Sequence, residues 1–367
     1  MAKIDVNTLR EWLAEGKPVT VLDVRSAEDR AQWSIPGSLH IDAYAALKEG
    51  RPDALDNAIL PDDRPIVTVC NRGIVSQIAA EKLEAKGAQV LSLDGGMQAW
   101  SLAWNTAEVT IPLPGARLIQ VRRTGKGCLS YLLGSADSAA VIDASLEPSV
   151  YTDLAQSFGW RIRYVLDTHV HADHLSRSKA LSELIGATLL LPAQRRVQFD
   201  FKPLSDGDEI EMSSIRLIAI QTPGHTAEST CYLLDDSCLF TGDTLFLAAV
   251  GRPDLHSSEQ AARERARLLF RSLSRIRTLS PELLVLPGHA SESVPFDGIP
   301  LMASLGQVFA RLNDWLISED AFVDRLLARL PAAPSNYQQI VELNERGATT
   351  GADVTELEAG ANRCAAG

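Results

Sequence analysis

The sequence predicts two α/β units in tandem: a mainly parallel sheet with helices between its strands, then a mixed sheet assembly with outer helices. Three observations predict this. Short apolar runs alternate with helical patterns over the first hundred residues; a stretch with two prolines, a glycine and no helical period follows; and strand-like runs then crowd the rest of the chain.

In the first unit, residues 19–24, 66–70 and 90–93 read as buried strands. The stretch WNTAEVTIPLPGAR at 104–117 reads as a connection, which sets the expected limits at 1–105 for the first domain, 106–117 for a linker and 118–367 for the second domain. Beyond it, strands are expected at 118–122, 128–133, 139–143, 165–168, 188–191, 215–221, 231–234 and 283–286, with a long helix over 258–277. No internal repeat or low-complexity tract interrupts this pattern.

At 367 residues both units are large enough to bury a core. A net charge of −12 argues against nucleic acid and anionic membrane as partners, because no surplus of Lys and Arg is available to neutralise phosphates. A small thiol substrate fits better. No apolar run approaches the ~20 residues needed to span a bilayer, and the first residues form a charged strand-and-helix pattern, so the expected location is cytoplasmic. The five cysteines, Cys70, Cys128, Cys231, Cys238 and Cys364, are odd in number and scattered, which suits free thiols in a reducing compartment.

Cys70 closes the apolar run PIVTVC, and NRGIVSQIAAEKLEAKG continues it as a polar loop and a helix. A thiol between a strand end and a helix start meets backbone N–H groups and the positive end of a helix dipole, which together favour thiolate. In the second unit, Asp167-Thr168-His169-Val170-His171-Ala172-Asp173-His174 packs three imidazoles and two carboxylates into one turn. His225, Asp243 and His289 stand in the motifs TPGHT, TGDT and PGH, each just after an apolar strand, where loops at a sheet edge can converge on one ion. The other two of the seven histidines, His40 and His256, are read as structural. Two zinc ions sharing all seven ligands would activate hydroxide for hydrolysis; one Fe(II) on two His and one carboxylate would leave positions open for a substrate and O2. The ligands alone admit both.

The first unit resembles the rhodanese family through Leu22-Asp23-Val24-Arg25, Ile35-Pro36-Gly37-Ser38, the CNRGIVS loop and Asp94-Gly95-Gly96-Met97-Gln98-Ala99-Trp100, in family order. The resemblance implies that Cys70 accepts a sulfane sulfur, that the amides from Asn71 to Val75, through Gly73, and the Arg72 side chain cradle the anion, and that Asp23 and Arg25 are scaffold. Ile74-Val75 departs from the family, so the sulfur donor does not carry over.

The second unit resembles the metallo-β-lactamase superfamily, and within it the persulfide dioxygenases, sulfur-oxidising relatives of glyoxalase II. The latter likeness rests on Gly127-Cys128-Leu129-Ser130-Tyr131-Leu132, HADHLS and Gly251-Arg252-Pro253-Asp254-Leu255. It implies an αββα fold; one Fe(II) per chain on His169, His225 and Asp243; His171, Asp173, His174 and His289 as groups that orient the ligands; and Arg252 and Asp254 as holders of the thiol portion of the substrate. Ala290-Ser291-Glu292 departs from the family's pattern after the last His, and Cys364, in an ending like the family's own, is read as non-catalytic. The implied activity is oxidation of glutathione persulfide, or a similar small persulfide, by O2 to sulfite and thiol, with Cys70 exchanging sulfur with thiosulfate or sulfite; a homodimer is a possible assembly. The alternatives are a dinuclear zinc thioesterase or hydrolase of the glyoxalase II type, and a non-catalytic sulfur carrier or regulatory protein.

Overall fold

Strands buried on both faces form the centre of the first sheet: Ile66–Val69 and Thr20–Asp23 are buried at every position, as strands covered by helices on both sides have to be. The computed structural model describes every residue except Met1, His256, Ser335, Thr350, Ala361 and Gly367, so the reading of His256 lies outside the described residues. The sheet has five strands, all parallel, in the order Lys3–Ile4, Val90–Leu93, Ile66–Val69, Thr20–Asp23, Leu39–His40. Its two edge strands, each of two residues, were not expected; they are too short to carry a periodic signal.

The second unit is two sheets face to face. One has seven strands, from Lys202–Leu204 at one edge through Thr188–Pro192, Arg161–Leu166, Ser138–Ile142, Cys128–Ser135 and Ala116–Arg123 to Asn105–Val109. The other has six, in the order Glu209–Met212, Ile215–Gln221, Thr230–Leu234, Cys238–Gly242, Leu284–Pro287, Ala303–Ser304. Leu129, Tyr131 and Leu133 of the first meet Leu217, Tyr232 and Phe240 of the second in a shared core, with the Tyr131 and Phe240 rings edge to face at 5.0 Å. Pro148–Ser157 and Ser178–Ile185 cover the outer face of the seven-stranded sheet through Tyr151, Ala155 and Leu181. The amphipathic helix Glu259–Ile276, with Leu305–Arg311 and Glu319–Ala328, covers the outer face of the other. The result is helix, sheet, sheet, helix.

The stretch expected as a linker is corrected by the structure. Asn105–Val109 pairs antiparallel with Ala116–Arg123, so most of the supposed connection is an edge strand and its return turn. The reason is local. Asn105, Ala107 and Val109 point inward and Thr106 and Glu108 outward, a period-two pattern that the prolines farther along obscure.

The two units are closely apposed. The Trp33 indole donates to the Thr124 carbonyl at 3.1 Å and the Gly125 amide to the Ala103 carbonyl at 3.2 Å. The C-terminal segment returns to both, with helix Val354–Leu357 beside helix Gly96–Trp100 and strand Ala365–Ala366 paired to Val250–Gly251.

Candidate metal centre and sulfur-transfer loop

Four strand ends build the buried cluster. Arg161–Leu166 runs into the loop bearing His169, His171, Asp173 and His174, and Ile215–Gln221 runs into His225. Parallel pairing of Cys238–Gly242 with Leu284–Pro287 sets Asp243 beside His289. Gly251 lets the backbone close behind the site: a Cβ there would lie 2.0 Å from the Asp243 carbonyl and 2.9 Å from His225 Cβ. Asn344 of helix Tyr337–Arg346 pins the histidine loop by donating to the carbonyls of His171 at 2.9 Å and His174 at 2.8 Å.

His169, His225 and Asp243 bring one ligand atom each within 4.8 Å of one another, all buried. His169 Nε2 lies 3.8 Å and His225 Nε2 3.6 Å from Asp243 Oδ2, and none of these three atoms has a hydrogen-bond partner. Three orphaned buried polar atoms facing one point are costly unless a cation satisfies them. The far ring nitrogens are occupied: His169 Nδ1 meets Thr168 Oγ1 at 2.9 Å, and His225 Nδ1 donates to the Arg252 carbonyl at 2.8 Å. Thr168 Oγ1 in turn donates to Asp143 at 2.9 Å. These contacts place the ring protons on Nδ1 and turn the Nε2 lone pairs inward. Two imidazoles and a carboxylate with open positions fit a single divalent ion.

The remaining four residues pair among themselves and with Asp143 and Asp243, and His171 Nδ1 and His174 Nε2 also lack a hydrogen-bond partner. His171 Nε2 lies 3.3 Å from Asp143, His174 Nδ1 lies 3.1 Å from Asp173, and His289 spans Asp243 Oδ1 at 2.6 Å and Asp173 Oδ2 at 2.8 Å. Cys128 joins Asp173, His174 and His289 in a second group whose ligand atoms lie within 4.8 Å of one another, its thiol 3.4 Å from Asp173. Sequence reasoning missed Cys128 as a member of the cluster. It also missed Asp143, which lies far from the histidine motif along the chain and is brought in only by the pairing of Ser138–Ile142 with Arg161–Leu166.

Charge sorts the two groups. Burial pushes His169 well below the ordinary imidazole value, with His171 adding to the effect, and burial likewise lowers His225. Both stay neutral, as ligands must. Burial opposes ionisation of Asp243, but His289, His169 and His225 outweigh it and hold the carboxyl below its usual value. In the second group, burial works against a charged His174 while Asp173 and Cys128 raise it to about 10. Burial and Asp173 push the Cys128 thiol up, but His174 and His289 bring it down to about 7.

Arg252 and Asp254, expected to hold the thiol portion of the substrate, pair with each other in the structure. Arg252 is 1% exposed, and its guanidinium is committed to Asp254 at 2.7 Å and to the carbonyls of Ala332 and Arg363, each at 3.2 Å. A fork so occupied braces the C-terminal segment and orients His225 through its carbonyl. That segment closes the site: the Arg252 amide donates to the Cys364 carbonyl at 2.9 Å, and the Asn362 amide group to Asp173 at 2.7 Å.

Cys70 is buried, with its thiol donating to Ser76 Oγ at 3.4 Å. Helix Val75–Glu84 begins five residues on, and the Met97 amide donates to the Cys70 carbonyl at 2.8 Å. Gly73 has φ +77°, and a Cβ there would stand 2.9 Å from the Gly95 nitrogen, so its place is in the packing of the loop. Arg72 is exposed and makes no ion pair with any described residue. Asp23 and Arg25 form a buried ion pair at 2.7 Å, and His40 Nε2 meets the Arg25 carbonyl at 2.9 Å, away from both sites.

Fold and cluster together define a two-domain protein with a metal-binding αββα unit and a thiol-bearing α/β unit. Residues 5–103 match the Rhodanese-like domain family and residues 123–289 the Metallo-beta-lactamase superfamily. The chain is 33% identical over 165 residues to hydroxyacylglutathione hydrolase of Methylococcus capsulatus, covering 43% of this chain and 60% of that one. It is 34% identical over 166 residues to human persulfide dioxygenase ETHE1, covering 44% and 63%, and 31% identical over 166 residues to the probable polyketide biosynthesis zinc-dependent hydrolase PksB of Bacillus subtilis, covering 43% and 70%. The crystal structure of ETHE1 from Myxococcus xanthus superposes with a TM-score of 0.53 at 29% identity, covering 62% of this chain and 96% of that one. The chain spans 60% of the length of the M. capsulatus hydrolase. It belongs to the metallo-beta-lactamase superfamily and carries a rhodanese-like domain ahead of that fold.

Proposed function

We propose that the protein oxidises a low-molecular-weight persulfide, glutathione persulfide being the expected one, to sulfite and thiol, and that Cys70 transfers sulfane sulfur. The observation that carries this is the buried trio His169, His225 and Asp243, whose ligand atoms lie within 4.8 Å of one another while Thr168 and the Arg252 carbonyl occupy the far nitrogens of both imidazoles. One Fe(II) bound there would supply the redox chemistry between O2 and the terminal sulfur. The reaction balances as RSSH + O2 + H2O giving RSH + H2SO3. The chain's own residues keep both imidazoles neutral, fix their rings through Thr168 and the Arg252 carbonyl, and close the site from water with the C-terminal segment. Similarity to ETHE1 proteins from human and M. xanthus supports this reading. Five free thiols, all buried, suit a reducing compartment such as the cytoplasm.

A second reading has its own observation. Cys128, Asp173, His174 and His289 form another buried ligand group next to the first, as a dinuclear zinc hydrolase would need, and the M. capsulatus relative is a hydrolase. Metal content and O2 uptake separate the two. Roughly one iron per chain and O2 consumption with glutathione persulfide support the dioxygenase; about two zinc ions and thioester cleavage support the hydrolase.

A further inference from the structure

The turn between strands Ala116–Arg123 and Cys128–Ser135 carries Lys126 out of water, leaving it only 3% exposed. Its ammonium donates to the Gly360 carbonyl at 3.2 Å and makes no ion pair with any described residue. Its remaining donors and its whole charge are therefore unmatched among the described residues. A buried ammonium in that state is strongly disfavoured unless an anion lies beside it.

Lys126 lines a cavity of about 240 Å³ that the C-terminal segment helps to wall. Arg363, half-buried in the same wall, also makes no ion pair among the described residues. The one carboxylate among the described walls, Asp173, is already engaged by His289 at 2.8 Å, His174 at 3.1 Å and Asn362 at 2.7 Å. Another part of the wall is apolar, formed by the buried side chains of Ile340 and Leu357. Two unpaired cations and an apolar surface in one cavity complement a short aliphatic carboxylate, whose oxygens meet the cations and whose chain covers the hydrocarbon. A bare inorganic oxyanion would leave that apolar wall uncovered.

We propose that this cavity binds a short aliphatic carboxylate, its head on Lys126 and Arg363 and its chain against Ile340 and Leu357. The occupant joins three elements around the histidine loop. Lys126 stands two residues before Cys128 in the strand turn. Ile340 shares helix Tyr337–Arg346 with Asn344, which holds the carbonyls of His171 and His174. Arg363 lies between Asn362, which donates to Asp173, and Cys364, whose carbonyl accepts from the Arg252 amide. Carboxylate binding therefore fastens the segment that closes the metal centre. None of the assigned metal ligands is among the described walls, so the site is separate from the centre and independent of which ion the centre takes.

The test is calorimetric titration of the metal-loaded full chain with butyrate, sulfate and butylammonium at constant ionic strength. Butyrate should bind, about 10-fold more weakly in Lys126→Met, the usual cost of one charge-assisted contact, and several-fold more weakly in Arg363→Gln. Binding should survive removal of the metal by a chelator, and saturating butyrate should slow that removal several-fold in the unaltered protein but not in Lys126→Met. Urea unfolding gives a second readout. Without butyrate, Lys126→Met should be at least as stable as the unaltered protein, because a methionine buries no charge; with butyrate, only the unaltered protein should gain stability. Absence of butyrate binding to the unaltered protein overturns the proposal, as does equal binding by either variant. Loss of binding on metal removal overturns it by placing the carboxylate on the ion. Sulfate or butylammonium binding as tightly as butyrate overturns it too, the first by making the apolar wall irrelevant and the second by making the cations so.

Discussion

At the scale of single residues, the chemistry depends on which nitrogen of each imidazole is free. Thr168 and the Arg252 carbonyl decide that for His169 and His225. Replacing Thr168 by Val removes the acceptor behind His169 and should weaken iron binding about 10- to 100-fold, read by competition with a chelator. His225→Ala removes a ligand outright; iron content and persulfide-dependent O2 uptake should both collapse, and unchanged uptake would remove the assigned centre. Cys70→Ser should abolish sulfur transfer while O2 uptake persists, since no contact joins that thiol to the metal cluster among the described residues. His174 carries a pH signature in the metal-free protein. Its value of about 10 lies above the unfolded value near 6.5, so its stabilising contribution is complete below about pH 6.5 and is lost as pH rises through about 10. The gap in urea midpoint between unaltered protein and His174→Gln should therefore narrow on going from about pH 6 to about pH 10.

At the scale of elements, the C-terminal segment joins the two units to the site. Glu358 is fully buried between Arg123 and Arg177, and its carboxylate also accepts from the Leu175 amide at 2.8 Å, beside the histidine loop. Burial opposes its ionisation, but the two arginines hold its carboxyl below the usual value. Glu358→Ala leaves the buried Arg123 guanidinium without its carboxylate and Arg177 with Glu147 alone, and should cost about 3–5 kcal/mol, measured by denaturant unfolding. An undiminished midpoint would show that the segment is not fastened there. Strand legibility differed by length and periodicity. Ile215–Gln221 and Val90–Leu93 fall where their apolar runs place them, whereas Lys3–Ile4, Leu39–His40 and Ala365–Ala366 are two-residue pairings with no pattern to read. Asn105–Val109 alternates properly but lies beside prolines that announce a break, and the break signal is the stronger one locally.

At the scale of the whole molecule, four readable motifs become one buried cluster because two sheets pack face to face with their strand ends together. The cluster therefore depends on the sandwich. Removing the metal should lower the unfolding temperature of the second unit, and adding Fe(II) should restore it in a concentration-dependent way. The sequence by itself determined the kinds of ligand, their strand-end positions, the strand-loop-helix setting of Cys70 and the two-unit plan, since these reside in short contiguous stretches whose periodicity and residue chemistry are local. Only the tertiary structure decided that Arg252 is committed to Asp254 and to the carbonyls of Ala332 and Arg363, that Cys128 and Asp143 stand among the histidines, and that the C-terminal segment closes on the centre. All but the Arg252–Asp254 pair are contacts between residues far apart in the chain, and such contacts exist only once packing has set which groups lose water and which partners remain within reach.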